Sequence, residues 1–171
     1  MRFVIVLIAA LIFFVDADAQ QSLRSLPPVI DTAGKRIDVV SLSDIQPVVA
    51  IRFLGSMCTH CMQQLAHFQE YTDQFREAGA VVVAFSDNET QKCREVSKQY
   101  GFASDVFYLC SDTGNVCSKA YGTSIPERNG TVTELHGIRV IHKRIQLFEH
   151  YSTTPYMDVQ YVLNLLKRKT Q

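Results

Sequence analysis

The sequence predicts an α/β fold, a central mixed β-sheet flanked by helices on both faces, and three observations carry that prediction. Short apolar, β-branched runs at Val48 to Phe53, Ala80 to Phe85 and Val106 to Cys110 alternate with amphipathic segments, the pattern of buried strands linked by crossover helices. Two further runs, Gly137 to His142 and Ile145 to His150, are joined by a tight turn at Lys143-Arg144, which adds an antiparallel pair. A last amphipathic segment ends the chain. With 171 residues, 47 % hydrophobic and 20 % charged, and with no internal repeat or linker, one core of ordinary size is expected.

The elements follow in order. Met1-Arg2, the apolar run Phe3 to Val15 and the small-x-small triplet Ala17-Asp18-Ala19 have the layout of a signal peptide spanning residues 1–19, leaving a domain of 20–171. The apolar run is too short to cross about 30 Å of hydrocarbon, so membrane contact is expected only through an uncleaved signal segment, and the domain is expected to be secreted or periplasmic. Asp31 to Lys35 has turn composition, and Arg36 to Val40 alternates like a short edge strand. Cys61, Leu65, Phe68 and Phe75 share a helical face over Cys61 to Ala78, which Gly79 stops. Asp87-Asn88 is placed to cap a helix carrying Cys93, Val96 and Tyr100 that closes at Gly101. Ser111 to Gly114 turns into a short helix ending at Tyr121-Gly122, and Thr123 to Leu135 reads as a loop or small hairpin. Thr154-Pro155 has the cap-then-proline form of a helix start, with Val159, Val162, Leu165 and Leu166 as core face.

Chemistry is concentrated in Cys58-Thr59-His60-Cys61, which falls where a buried strand ends and a long helix begins. Exposed amides at a helix N-terminus stabilise an anion, and the thiolate is the nucleophile of sulfur chemistry. Cys58 is therefore the expected attacker, Cys61 the thiol that closes a disulfide with it, and His60 a residue that lowers the Cys58 pKa. A zinc site would need His67 or the Cys110/Cys117 pair to converge on these cysteines, so no metal and no organic cofactor are expected.

Residues from about Leu26 to Leu166 resemble the redoxin branch of the thioredoxin superfamily, which includes secreted thioredoxin-like thiol-disulfide oxidoreductases and the alkyl hydroperoxide reductase/thiol-specific antioxidant peroxiredoxins. The matching pieces are Ile30-Asp31, Gly34-Lys35 and Leu42-Ser43-Asp44, the strand into Cys-x-x-Cys, the segment Ala80 to Asp87, and Cys117 to Gly122. The resemblance implies a thioredoxin fold. Thioredoxin-like reductants carry a tryptophan before the first cysteine, where this chain has Met57 and no tryptophan at all. They also place a cis-proline before the strand facing the active site; Pro126 or His136 stands there. Peroxiredoxins carry a proline seven residues before the attacking cysteine and a threonine or serine three before it, where this chain has Ile51 and Gly55. Arg52 is read either as a cation near the site or as an ion-paired or solvated edge residue.

Three functions follow. The leading one is a thiol-disulfide oxidoreductase using reversible exchange at Cys58-Cys61, with protein or small-molecule thiols and disulfides and a redox partner protein. The second is a peroxiredoxin-like thiol peroxidase with Cys58 as the peroxide-reactive cysteine. The third is a non-catalytic secreted binding protein that keeps the bridge as a staple. Seventeen basic against seventeen acidic residues leave no electrostatic footprint for nucleic acid. Of the five cysteines, Cys93 is expected in the core, and Cys110 with Cys117 either in a structural disulfide or with one of them as a relay thiol for the Cys58–Cys61 disulfide.

Overall fold

The computed structural model describes residues 23–102 and 105–169; the expected signal segment lies outside them. The main sheet has the strand order β2-β1-β5-β4-β3-β8-β9. Its centre is β3 (Val48–Arg52), β4 (Val81–Ser86) and β5 (Phe107–Ser111), paired in parallel. β8 (His136–His142) and β9 (Ile145–Ser152) extend it antiparallel on one side, and β1 (Val29–Asp31) with β2 (Arg36–Ile37) on the other. Successive residues of β3 face opposite sides, so the buried run Val48 to Arg52 feeds two cores. Val49 and Ile51 pack with Leu65, Phe68 and Phe75 from α2 (Thr59–Gln69) and α3 (Thr72–Glu77), with Val96 of α4 (Thr90–Tyr100), and with Val162 and Leu166 of α6 (Val159–Lys169). Val48 and Ala50 pack with Val39 and Val40 of α1 (Val39–Leu42) and with Cys117 and Tyr121 of α5 (Val116–Tyr121). Helices on both faces of a mixed sheet are what the alternation of buried runs requires, and the predicted fold class is the observed one.

Local departures have local causes. The expected strand Arg36 to Val40 pairs only over Arg36–Ile37, because the Asp38 carboxylate accepts the Val40 and Ser41 N–H groups and starts α1. The single helix expected over Cys61 to Ala78 is two: Thr72 Oγ1 donates to the Gln69 carbonyl at 2.7 Å and ends α2, while the break lets Phe75 stack on Phe68. α6 starts at Val159 rather than at Thr154-Pro155, with the Asp158 carboxylate accepting the Tyr161 N–H at 2.9 Å. Thr123 to Leu135 holds the small hairpin β6 (Ser124–Pro126) and β7 (Val132–Glu134). Lys143 and Arg144 both take positive φ, 50° and 61°, the requirement of a two-residue primed turn. Ser43 holds that turn by accepting Lys143 N–H on its carbonyl and Arg144 N–H on its hydroxyl.

Candidate active site

β3 delivers the chain to a short loop, residues 53–57, from which α2 departs. Gly55 shapes this loop: its φ is +110°, and a Cβ there would stand 3.2 Å from Asn88 Oδ1 and 3.5 Å from Asp87 Oδ1. The Gly55 carbonyl accepts the Cys58 N–H, which leaves Cys58 as the extended N-cap of α2. Its sulfur accepts the Cys61 N–H at 3.2 Å, and the Cys61 sulfur accepts the Leu54 N–H at 3.3 Å. Both sulfurs thus have an amide donor that would favour the thiolate. The two cysteines form a disulfide across 5.2 Å between Cα atoms. Cys58 is half-buried and Cys61 fully buried, so an incoming reactant meets Cys58 first.

The Cys58 side opens on a cleft of 460 Å³ lined by Leu54, Cys58, His60, Gln63, His136 and the segment Thr153 to Pro155 with Met157. The Thr154-Pro155 pair therefore forms part of the cleft wall instead of a helix start. His60 is exposed on the rim. The imidazole that meets a cysteine sulfur is His136, with Nδ1 3.8 Å from Cys61 Sγ. His136 is the first residue of β8, and the register that pairs Gly137 with Arg52 carries it past the end of β3 to the active loop. Close packing fixes that register: a Cβ on Gly137 would stand 2.8 Å from Thr123 Cγ2 and 3.1 Å from the Tyr151 ring. Burial, then the nearby charges of Arg52 and His60, hold the His136 pKa below its ordinary value. His136 is therefore neutral at pH 7 and able to take a proton from a Cys61 thiol. Pro126 ends β6 with no cis peptide among the described residues; His136 occupies the position facing the cysteines.

Arg52 is neither a solvated edge residue nor a cation open to the cleft. It is 1 % exposed, donates to Glu134 Oε2 at 2.9 Å, to Asn115 Oδ1 at 3.3 Å and to the Phe53 carbonyl. Its ion pair with Glu134 ties the hairpin β6–β7 to the end of β3.

The expected Cys110–Cys117 disulfide is not formed: both are free, buried thiols, as is Cys93. The turn between β5 and α5 is organised by Asp112, whose carboxylate accepts the Cys117 and Ser118 N–H groups and the Ser118 hydroxyl. The two thiols instead pack among Ala50, Val83, Phe85 and Tyr121. Burial pushes Cys93 up to about 11, Cys117 up to about 12 and Cys110 well above its ordinary value. Such thiols stay protonated and behave as small hydrophobes, which leaves Cys58 and Cys61 as the reactive pair.

A model of the AhpC/TSA family matches residues 25–147. The chain is 26 % identical over 151 residues to the chloroplastic peroxiredoxin Q of Sedum lineare, covering 84 % of this chain and 76 % of that protein. With the chloroplastic peroxiredoxin Q of Populus jackii it is 26 % identical over 149 residues, covering 82 % and 66 %. Among solved structures, peroxidoxin BcpB from Mycobacterium tuberculosis superposes with a TM-score of 0.70 at 22 % identity, covering 85 % of this chain and 92 % of that one. The bacterioferritin comigratory protein of Xanthomonas campestris gives 0.75 at 16 % identity, covering 88 % and 100 %. The leading expectation of a general thiol-disulfide oxidoreductase is thereby displaced toward its peroxidase alternative, because the relatives at hand are peroxiredoxins. A thioredoxin-fold redoxin with its reactive cysteine pair at the head of α2, the chain belongs to the AhpC/TSA family and is an oxidoreductase that works through cysteine sulfur.

Proposed function

We propose that the protein is a thiol peroxidase, with Cys58 as the peroxide-reactive cysteine and Cys61 as the resolving thiol. The observation that carries this reading is the placement of the two sulfurs. Cys58 caps α2 facing the cleft, and the Cys61 sulfur, one turn deeper, is bonded to it while α2 keeps its first turn. Oxidised Cys58 is then captured without unwinding the helix. In the first step the Cys58 thiolate attacks a hydroperoxide oxygen; the O–O bond breaks, Cys58 becomes a sulfenic acid, and the alkoxide leaves and takes a proton as an alcohol. In the second, His136 takes the Cys61 proton, the Cys61 thiolate attacks Cys58 sulfur, and hydroxide leaves with that proton as water. A dithiol partner, itself oxidised to a disulfide, then restores both thiols. Cleavage of residues 1–19 would place this cycle in a secreted or periplasmic setting. The relatives named peroxiredoxin support the reading.

A second reading, thiol-disulfide exchange with external disulfides, is favoured by Ile51 and Gly55, which hold the positions of the peroxide-orienting proline and hydroxyl residue. One experiment separates the two. The reduced protein is mixed in a stopped-flow instrument with hydrogen peroxide or cumene hydroperoxide, and in parallel with glutathione disulfide. Faster oxidation by a hydroperoxide, lost in Cys58→Ser and ending in a sulfenic acid in Cys61→Ser, is the expected result. Peroxide consumption no faster than that of free cysteine, with rapid exchange on the disulfide, overturns the peroxidase reading in favour of the second.

A further inference from the structure

We propose that the dithiol form of this protein binds one soft closed-shell cation, Cu(I) or Zn(II), through the Cys58 and Cys61 thiolates and the His136 imidazole. The inference does not rest on the peroxidase reading, since it needs only the two thiols and the fold that places His136 beside them. The three ligand atoms lie within 4.8 Å of one another. Bond lengths of about 2.3 Å to sulfur and 2.05 Å to nitrogen put a thiolate and an imidazole nitrogen on one tetrahedral zinc about 3.6 Å apart. The observed separation of Cys61 Sγ and His136 Nδ1 is 3.8 Å, so this pair needs a movement of about 0.2 Å by the same geometry. His136 is 4 % exposed and Cys61 0 %, which makes the inner side of the site preformed and dry. Cys58 faces the cleft, leaving the outer coordination position to water or to His60 or Met157, which line the same cleft.

Charge and softness agree with this cation class. Two thiolates and a neutral imidazole balance the charge of Zn(II) and leave one negative charge with Cu(I), and thiolate donors select these two ions over harder metals. The Leu54 and Cys61 amides hold the sulfurs in place. What distinguishes the site from any Cys-x-x-Cys turn is the ligand brought from β8, remote in sequence and fixed by the Arg52–Gly137 register. Loading is a proton exchange: two thiols lose two protons as the metal–sulfur bonds form. The disulfide has no thiolate to offer, so oxidation of the pair and occupancy by metal exclude each other.

The test uses the domain reduced under anaerobic conditions, titrated with Zn(II) against 4-(2-pyridylazo)resorcinol and with Cu(I) against bicinchoninate. Co(II) serves as a spectroscopic probe of thiolate ligation. The expected result is one equivalent of Cu(I) or Zn(II) held by the dithiol protein, a thiolate-to-Co(II) charge-transfer band, and no binding by the disulfide form. His136→Asn should weaken binding at least about tenfold, and Cys58→Ser, which retains Cys61 and the three buried thiols, should abolish it. Equal affinity in His136→Asn, equal binding by the disulfide form, or failure to compete with either chelator overturns the proposal. The comparison of dithiol and disulfide states needs no variant, so it stands even if a substitution impairs folding.

Discussion

Replacing His136 by Asn isolates what the buried imidazole does for the resolving cysteine. An ordinary thiol of pKa about 8.5 is about 3 % thiolate at pH 7, and Cys61, with no exposed surface, has no solvent beside it to take its proton. His136 Nδ1 stands 3.8 Å from its sulfur, with no competing acceptor among the described contacts of that sulfur. A positioned base contributes about 10²–10⁴ in rate. The long contact argues for the lower end, about 10²-fold, or about 2.7 kcal/mol of barrier. The assay is the two-phase reaction of the reduced protein with an aromatic disulfide, in the presence of a chelator. The first thiolate is released when Cys58 is captured, the second when Cys61 closes the ring. In the wild type the second phase should rise with pH through the lowered His136 pKa and level off near neutrality. In His136→Asn it should be about 10²-fold slower at pH 7 and keep climbing as solvent deprotonates Cys61, with the first phase little changed. An unchanged second phase, or equal slowing of both, would refute the assignment of His136 as the base for Cys61.

The same imidazole links stability to pH. Its folded pKa lies below the unfolded value of 6.5, so the unfolded state binds more protons in that window, and the stability present above pH 6.5 should fall as the pH drops toward the folded pKa. Urea unfolding at pH 7.5 and 5.5 should show a smaller loss in His136→Asn than in the wild type; the difference between the two proteins cancels the similar contribution of His142. Gly55→Thr supplies the hydroxyl residue that peroxiredoxins carry there. With φ at +110° and Asn88 Oδ1 3.2 Å from the new Cβ, it should cost about 1–3 kcal/mol in urea unfolding, and a neutral result would show the loop free to relax. Native alkylation with iodoacetamide at pH 8 should label no cysteine in the disulfide form. After mild reduction it should label Cys58 ahead of Cys93, Cys110 and Cys117, as mass spectrometry of peptides would show; early labelling of Cys117 would contradict its burial. Leu65→Ala, at the centre of the α2 face, should destabilise by about 2–5 kcal/mol in the same unfolding assay.

How much of this was readable beforehand depends on how local each determinant is. The buried runs at β3, β4 and β5 carry their own signal, since a strand covered on both faces must be apolar throughout, and the observed sheet follows them within a residue at each end. The head of α2 was equally plain, because a Cys-x-x-Cys at a strand-to-helix junction places both sulfurs on the first turn whatever else the fold does. The helix break at Tyr71 and the start of α6 at Asp158 were not. Each is decided by which carbonyl or amide finds a side-chain partner after packing, as with Thr72 on Gln69 and Asp158 on Tyr161. The Cys110 and Cys117 pair departs from expectation for the same reason: spacing allows a bridge, but the Asp112 cap sets where α5 begins.

By itself, then, the sequence determined the layered α/β fold and the reactive cysteine pair, because hydrophobic period and helix-terminus chemistry act over a few neighbouring residues. Only the tertiary structure decided that His136, 75 positions from Cys61, is the imidazole at the sulfur, that His60 lies out on the rim, and that Arg52 is spent on Glu134. The first of these is made by the antiparallel register of β8 on β3, and that register is fixed by the close fit of Gly137 against Thr123 and Tyr151, contacts that exist only once the sheet is assembled.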